Sequence, residues 1–338
     1  MDDQAEADPG PQTADSNAPL SKEDVKYWKG KAQIAGRRVA AMYAPFFDTE
    51  SLADQRVESH MDEILDQAQK AHESDNDLDD EVNPSFAWDT PRFDIPDNID
   101  MVRELIFNLP KSPGRHWMDE FFQDAINLGV RKMRGDFVHA IAKNGGKIFE
   151  VHDSRFEDRA KRPDIPEVQE LLGSFMHTKP DDSLDIFFKD ECIVRTLRLL
   201  LNGPSAIRTG RRSAKSRKAH VDMWHVKFIT PSLLAFAATA IKFVLSGEPS
   251  FEEASGSVNY TKWFLARLGL LQGLYHDHPD TYNDLIDYYN RNVLPDRYRE
   301  VQFEANQGEN EPAHDYTEGM NDEECEFLAR LQNSESNE

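Results

Sequence analysis

From Val25 to Met42 the apolar residues Val25, Trp28, Ala32, Ala35, Val39 and Met42 return every three or four positions, the spacing that lines them along one face of an α-helix. Ser21 with Asp24 three residues on makes a capping-box-like start, and Pro45 is a stop, so a helix is predicted over Lys22 to Ala44. A second is predicted from Asp48 or Thr49, carrying Leu52, Val57, Met61, Ile64 and Leu65 and running out into the polyacidic stretch Ser74 to Glu81. Pro84, Trp88, Pro91 and Pro96 then describe an extended linker. Asp97 caps a short helix to Phe107, and Pro110, Pro113 and Gly114 break the chain. Two helices are expected next, His116 to Gly129 and Arg131 to Lys143, stopped by Asn144-Gly145-Gly146; Lys147 to Val151 reads as one short strand or as nothing regular.

In the second half, Asp181 or Ser183 is placed to cap a helix holding Leu184, Phe187, Phe188, Cys192, Val194, Leu197, Leu200 and Leu201, which closes at Asn202-Gly203-Pro204. Thr230 as cap, Pro231 at the first helical position and Gly247 as stop bound the most apolar helix of the chain. Its run from Leu233 to Leu245 is apolar on all sides except Thr239 and Lys242. That is short of the roughly 20 apolar residues a membrane span needs, so it is read as a buried central helix. Helices at Tyr260 to Tyr275 and Thr281 to Val293 turn Trp263, Phe264, Leu268, Leu271, Leu285, Ile286 and Tyr289 inward.

The predicted fold class is all-α: an irregular multi-helix globular domain with a buried central helix near 231–246 and disordered acidic tails. Residues 1–20 form one tail and 300–338 the other. Between them, 21–295 is the helical domain, divided into an N-terminal helix pair (21–73), an acidic, Pro-rich linker (74–96) and the main body (97–295). The alternative is two helical subdomains joined around Trp88.

Charge sharpens this division. The net charge is −23, yet Met1 to Asp24, Glu58 to Glu81 and Glu300 to Glu338 together hold 29 of the 62 acids and three of the 39 bases. What is left, 33 acids against 36 bases, is near neutral. Such like-charge blocks repel and bury nothing, which makes them solvated tails or docking segments for a basic partner. Cys192 and Cys325 give neither a disulfide framework nor a metal pattern, and Met1 to Leu20 lacks the basic start and apolar stretch of a secretion signal. An intracellular location, nucleus or cytoplasm, is therefore expected. The sequon Asn259-Tyr260-Thr261 and the triplet Arg134-Gly135-Asp136 are then chance matches.

The stretch Leu197 to Leu294 has a recognisable order. Asn202-Gly203-Pro204-Ser205 leads into a basic, Ser-containing loop. Thr230-Pro231 opens the helix to Ser246, and a polar turn, an aromatic helix and Tyr288-Tyr289-Asn290 follow. This order resembles an uncharacterised domain family abundant in mushroom-forming basidiomycete fungi, with a weaker likeness over Lys31 to Phe47. In those relatives the closing pair is commonly Trp-Trp, and an acidic stretch stands where this chain has His276-Asp277-His278. The resemblance implies a helical fungal protein and supplies no catalytic residues.

Candidate chemistry is sparse. Arg208, Arg211, Arg212, Lys215, Arg217 and Lys218 are six bases in eleven residues without an acid, a cluster suited to phosphates or to a nuclear-import receptor, and equally to a solvated loop. Of aromatic residues that could stack on bases, Trp224 and His225 are the near ones. His276, Asp277, His278 and Asp280 lack the spacing of a metal helix, and the acidic run from Asp75 has no Gly at the sixth position of a calcium loop. Gly145-Gly146-Lys147 lacks the other residues of a phosphate loop. No metal or cofactor is expected. The reading that follows is a non-enzymatic interaction protein whose basic loop, 208–218, serves nuclear import or polyanion contact with a protein or nucleic-acid partner. The alternative is an enzyme of an undescribed helical class, its site assembled from scattered His, Arg and carboxylate groups, with His116, His139, His220 and His225 as candidates.

Overall fold

The computed structural model describes residues 20–47, 49, 55–74, 98–107, 109, 113, 116–117, 119–174, 188–210, 219–224, 226–256 and 258–295. They are all-α apart from one small hairpin. The helices are α1 (Lys22–Met42), α2 (Gln55–Ser74), α3 (Asn98–Phe107), α4 (Glu120–Lys143), α5 (Gly145–Phe149), α6 (Asp153–Phe156), α7 (Pro166–Ser174), α8 (Glu191–Asn202), α9 (His220–Met223), α10 (Pro231–Ser246), α11 (Tyr260–Asp277) and α12 (Pro279–Val293). The antiparallel strands β1 (Ala254–Ser255) and β2 (Val258–Asn259) pair Ala254 with Asn259 and Ser255 with Val258. Among the described residues no helix is long and apolar enough to cross a membrane. The chain divides into two compact units, one of 1–40, 47–88 and 96–132, the other of 41–46, 89–95 and 133–338.

In the first unit, α1 starts where the sequence puts it. Ser21 Oγ accepts from the Asp24 backbone N–H at 3.1 Å, and the Asp24 carboxylate accepts from the Ser21 hydroxyl at 2.7 Å and from its N–H at 3.3 Å, a reciprocal cap. Trp28, Ala32, Ala35 and Val39 are buried as the periodicity requires, with Trp28 and Trp117 both against Phe122. The second helix begins later than the sequence predicts, at Gln55. Thr49 is instead fastened to Asn127, its N–H donating to Oδ1 at 3.0 Å and its Oγ1 accepting from Nδ2 at 2.7 Å.

The largest departure from the sequence reading is at Gly129. The sequence predicts two helices with a break there, but α4 runs unbroken from Glu120 to Lys143. Gly129 is a point of close approach: a Cβ on it would lie 2.2 Å from the Gln33 carbonyl oxygen, and one on Gly36 would lie 2.3 Å from that of Ile126. The two glycines let α1 and α4 cross backbone to backbone.

The second unit is built around α10. Thr230 caps it by accepting from Leu233 N, and Gly247, at φ 75°, ends it. All of its residues are buried except Lys242 and Ser246, and the Thr239 hydroxyl is satisfied by the Ala235 carbonyl at 2.6 Å. Lys242 is half-buried and its pKa is lowered by desolvation, with Arg267 adding repulsion. α8, α11 and a 3-10 segment at Arg159–Asp164 pack on it. Arg162 of that segment is buried, donating from Nε to the Phe156 carbonyl at 2.8 Å and from Nη1 to the Val244 carbonyl at 3.3 Å. The end of α12 fastens the rest: Asn290 Oδ1 accepts from Ile229 N at 2.8 Å, Asn202 Nδ2 donates to the Val293 carbonyl at 3.0 Å, and the Tyr289 hydroxyl donates to the Phe188 carbonyl.

Two smaller expectations change here. Lys147 to Phe149 is helical rather than strand or irregular, since α5 covers Gly145–Phe149; it closes on Glu150 in the left-handed region at φ 58°, and Glu150 and Val151 are irregular. α8 starts at Glu191 under an Asp190 cap that accepts from Cys192 N at 2.7 Å; Asp181 and Ser183 lie outside the described residues.

Candidate functional site

Of the six clustered bases, Arg208 is described and exposed; Arg211, Arg212, Lys215, Arg217 and Lys218 lie outside the described residues. What the structure defines is how the loop leaves and rejoins the fold. It leaves after α8, where Gly203, at φ 88°, opens a 3-10 turn at Pro204–Ala206. Gly210 N–H then returns to the Ala206 carbonyl at 2.8 Å, with φ 69°. The Arg198 guanidinium of α8 gathers this root, donating to the carbonyls of Ile207 and Arg208 at 3.3 Å each and to that of Asn292 at 2.8 Å. Burial lowers the pKa of Arg198, countered by Glu191, yet from 12.5 an Arg stays charged.

The loop rejoins at buried Ala219 and α9. His220 Nδ1 lies 2.8 Å from the Leu200 carbonyl of α8. A carbonyl only accepts, so Nδ1 carries the proton. The same ring stacks on Trp224, centroids 4.2 Å apart and planes 7° apart. Both roots are thus tied to the last turns of one helix.

Beside the first root is an open pocket of about 550 Å³, lined by Gly146, Lys147, Val151, His152, Pro204, Ser205, Ile207, Arg208 and Thr209. Its far wall depends on the turn after α4. A Cβ on Gly145 would strike the Phe156 ring at 2.2 Å, so only glycine lets that turn close, and the left-handed Glu150 directs the chain on through Val151 and His152. Arg195 fixes this turn to α8, donating to the Ile148 carbonyl at 3.2 Å and pairing with Glu150 at 2.9 Å and Glu191 at 3.2 Å. His152 Nδ1 is 2.9 Å from Ser154 Oγ. The lining holds three basic side chains and no acid.

The other candidates have local explanations. His116 pairs with Asp119 at 2.8 Å, His139 is exposed on α4, and His225 lies outside the described residues. His276 is exposed, and His278 is the junction between α11 and α12, its N–H bonded to the Leu274 carbonyl. No group of three or more His, Cys, Asp or Glu residues that could hold a metal is found among the described residues. Cys192 is buried, its thiol pushed up by desolvation and by Asp190, and Trp224 is core. Asn259 of the sequon caps α11 by accepting from Lys262 N at 2.8 Å. Arg134 of the Arg-Gly-Asp triplet donates to the Pro45 carbonyl at 2.8 Å and lies over Phe46.

Sequence reasoning met Lys147 only in the rejected phosphate-loop match Gly145-Gly146-Lys147, and it singled out none of His152, Ser205 and Thr209 as site residues. Lys147 and His152 are some 60 residues from the loop in sequence, and no local pattern joins them to it.

No curated protein and no solved structure matches the chain. Residues 148–294 match the model of a family described as a family of unknown function, DUF6698. The stretch that carries both loop roots, the central helix and the closing helix is therefore similar to an uncharacterised domain family.

Proposed function

We propose that this is a non-enzymatic interaction protein, of the fungal type abundant in mushroom-forming basidiomycetes, that contacts a polyanion through the basic loop 208–218 in the nucleus or cytoplasm. The observation that carries the reading is the double anchoring of that loop. Arg198 holds one root and the Leu200 carbonyl the other, two residues apart on α8. Binding residues are commonly loops set on a rigid scaffold, and a purely passive linker needs no such anchoring. The charge of the loop supplies the chemistry, because each phosphate neutralised releases condensed counterions.

The test is binding of the full chain to a short duplex DNA and a short RNA across a salt series, beside a variant with Arg211, Arg212, Arg217 and Lys218 changed to Ala. Affinity should fall with salt, and the slope should flatten in the variant by about 0.9 for each duplex phosphate that is no longer neutralised. Absence of binding by either form at low salt refutes direct nucleic-acid contact. The same bases then stand as an import signal, checked by where a fluorescent fusion of the wild type and of the variant localises.

A further inference from the structure

We propose that the pocket at the first root of the loop binds a phosphate monoester of nucleotide size. This deepens the polyanion reading and rests on it, adding a defined site to a charged segment. Lys147 brings a mobile ammonium from α5, Arg208 a planar guanidinium from the loop root, and His152 an imidazole from the turn between α5 and α6. Neither Lys147 nor Arg208 has a carboxylate partner among the described residues. Glu150, the acid nearest to Lys147 in the chain, is taken by Arg195. An ammonium and a guanidinium fork facing one space is the donor set that suits a dianionic phosphate.

The rest of the lining says that more than an inorganic ion fits. Val151, Pro204 and Ile207 give the pocket an apolar side, and its volume of about 550 Å³ lies inside the range of roughly 300–1,000 Å³ typical of sites for small organic ligands. A ligand with a phosphate at one end and a flat apolar body at the other uses both halves. A nucleoside monophosphate has that form, whether free or as the phosphorylated end of a strand, and one of the lining residues, Arg208, is the first base of the basic cluster in sequence.

The experiment titrates the full chain with AMP by calorimetry, with adenosine and inorganic phosphate as separate probes. Two variants run alongside: the pair Lys147→Gln and Arg208→Gln together, and the loop variant used above. Both changed positions of the first are exposed, and its far-UV circular dichroism should match the wild type. AMP should bind saturably, inorganic phosphate should compete and adenosine alone should not. The pocket variant should weaken AMP by about tenfold or more, the loss of two charge-assisted hydrogen bonds, and the loop variant should leave it unchanged. No AMP binding, or binding weakened by the loop variant and not by the pocket variant, overturns the site. The two readings fail separately: salt-dependent nucleic-acid binding without AMP binding removes the pocket alone, and AMP binding without nucleic-acid binding removes the loop alone. A 5′-phosphorylated octanucleotide that outcompetes its 5′-hydroxyl twin assigns the phosphate to a strand end, whereas AMP binding without that difference assigns it to a free nucleotide.

Discussion

Four glycines on two helices give a sharp test of the packing argument. Gly30 and Gly36 lie on α1, and Gly129 and Gly135 on α4. None of them has a positive φ, so Gly→Ala at each should gain about 1 kcal/mol of helix propensity. At Gly30 and Gly135 the added methyl meets nothing within 4 Å, and that gain should appear in full. At Gly129 it would come within 2.2 Å of the Gln33 carbonyl oxygen. An ordinary carbon–oxygen approach is about 3.3 Å, so the helices must part by about 1 Å. The obstacle is backbone and no rotamer change relieves it, which puts the cost near the top of the about 1–3 kcal/mol typical of overpacking. Net of propensity, Gly129→Ala should destabilise by about 2 kcal/mol while Gly135→Ala, six residues along the same helix, stabilises. Gly36→Ala should behave like Gly129→Ala, and the double variant should cost less than the sum, because a crossing already opened by one methyl admits the other. Urea unfolding followed by far-UV circular dichroism reads all of these. A Gly129→Ala midpoint that moves in the same direction as that of Gly135→Ala would refute the close crossing.

Three further outcomes follow from single groups. Asp190→Ala removes the cap of α8 and should cost about 1 kcal/mol in a urea titration, with Asp190→Ser recovering most of it. Arg162→Lys should destabilise nearly as much as Arg162→Ala, because one ammonium on a flexible stem does not reproduce two directed N–H bonds to the Phe156 and Val244 carbonyls; full recovery by Lys in a thermal melt would contradict this. Burial raises Cys192 above its ordinary 9.0, and Tyr282 and Tyr289 above 10.0. The unfolded chain therefore gives up these protons first, so stability is full below about pH 9 and falls as pH rises further. Melting temperatures from pH 7 to 11 check the sign, and Tyr289→Phe should flatten the decline.

Much of the fold was legible because its signals are local. The Ser21–Asp24 cap, Thr230-Pro231 and Gly247 each state a helix end within a few residues, and the all-apolar run between the last two could only be interior. What stayed hidden depends on groups far apart in the chain. Gly129 reads as a stop until the Gln33 carbonyl is known to face it, and Asp190 competes as a cap with Asp181 and Ser183 on equal chemical terms. The candidate site divides the same way. A run of bases shows in sequence, whereas Arg198 and His220 carry no mark of their duty to the loop. Lys147 and His152 meet Arg208 only through a turn that the close approach of Gly145 to Phe156 and the left-handed Glu150 create.

α10 also sets the terms on which the protein is made. Its apolar surface is covered in part by α11, which is synthesised after it, and the bonds from Asn290, Asn202 to Val293, and Arg198 to Asn292 that close the unit wait for the end of α12. Between Ser246 and Val293 a ribosome adding ~5–20 residues per second spends roughly 2–9 s. Throughout that interval a nascent chain carries a largely apolar helix whose native cover is incomplete, α8 and the Arg159–Asp164 segment being already made and α11 still to dock. Newly made chains should therefore lean on chaperones at this one stage of translation, and truncations that end between α10 and α12 should aggregate where those ending before Thr230 do not.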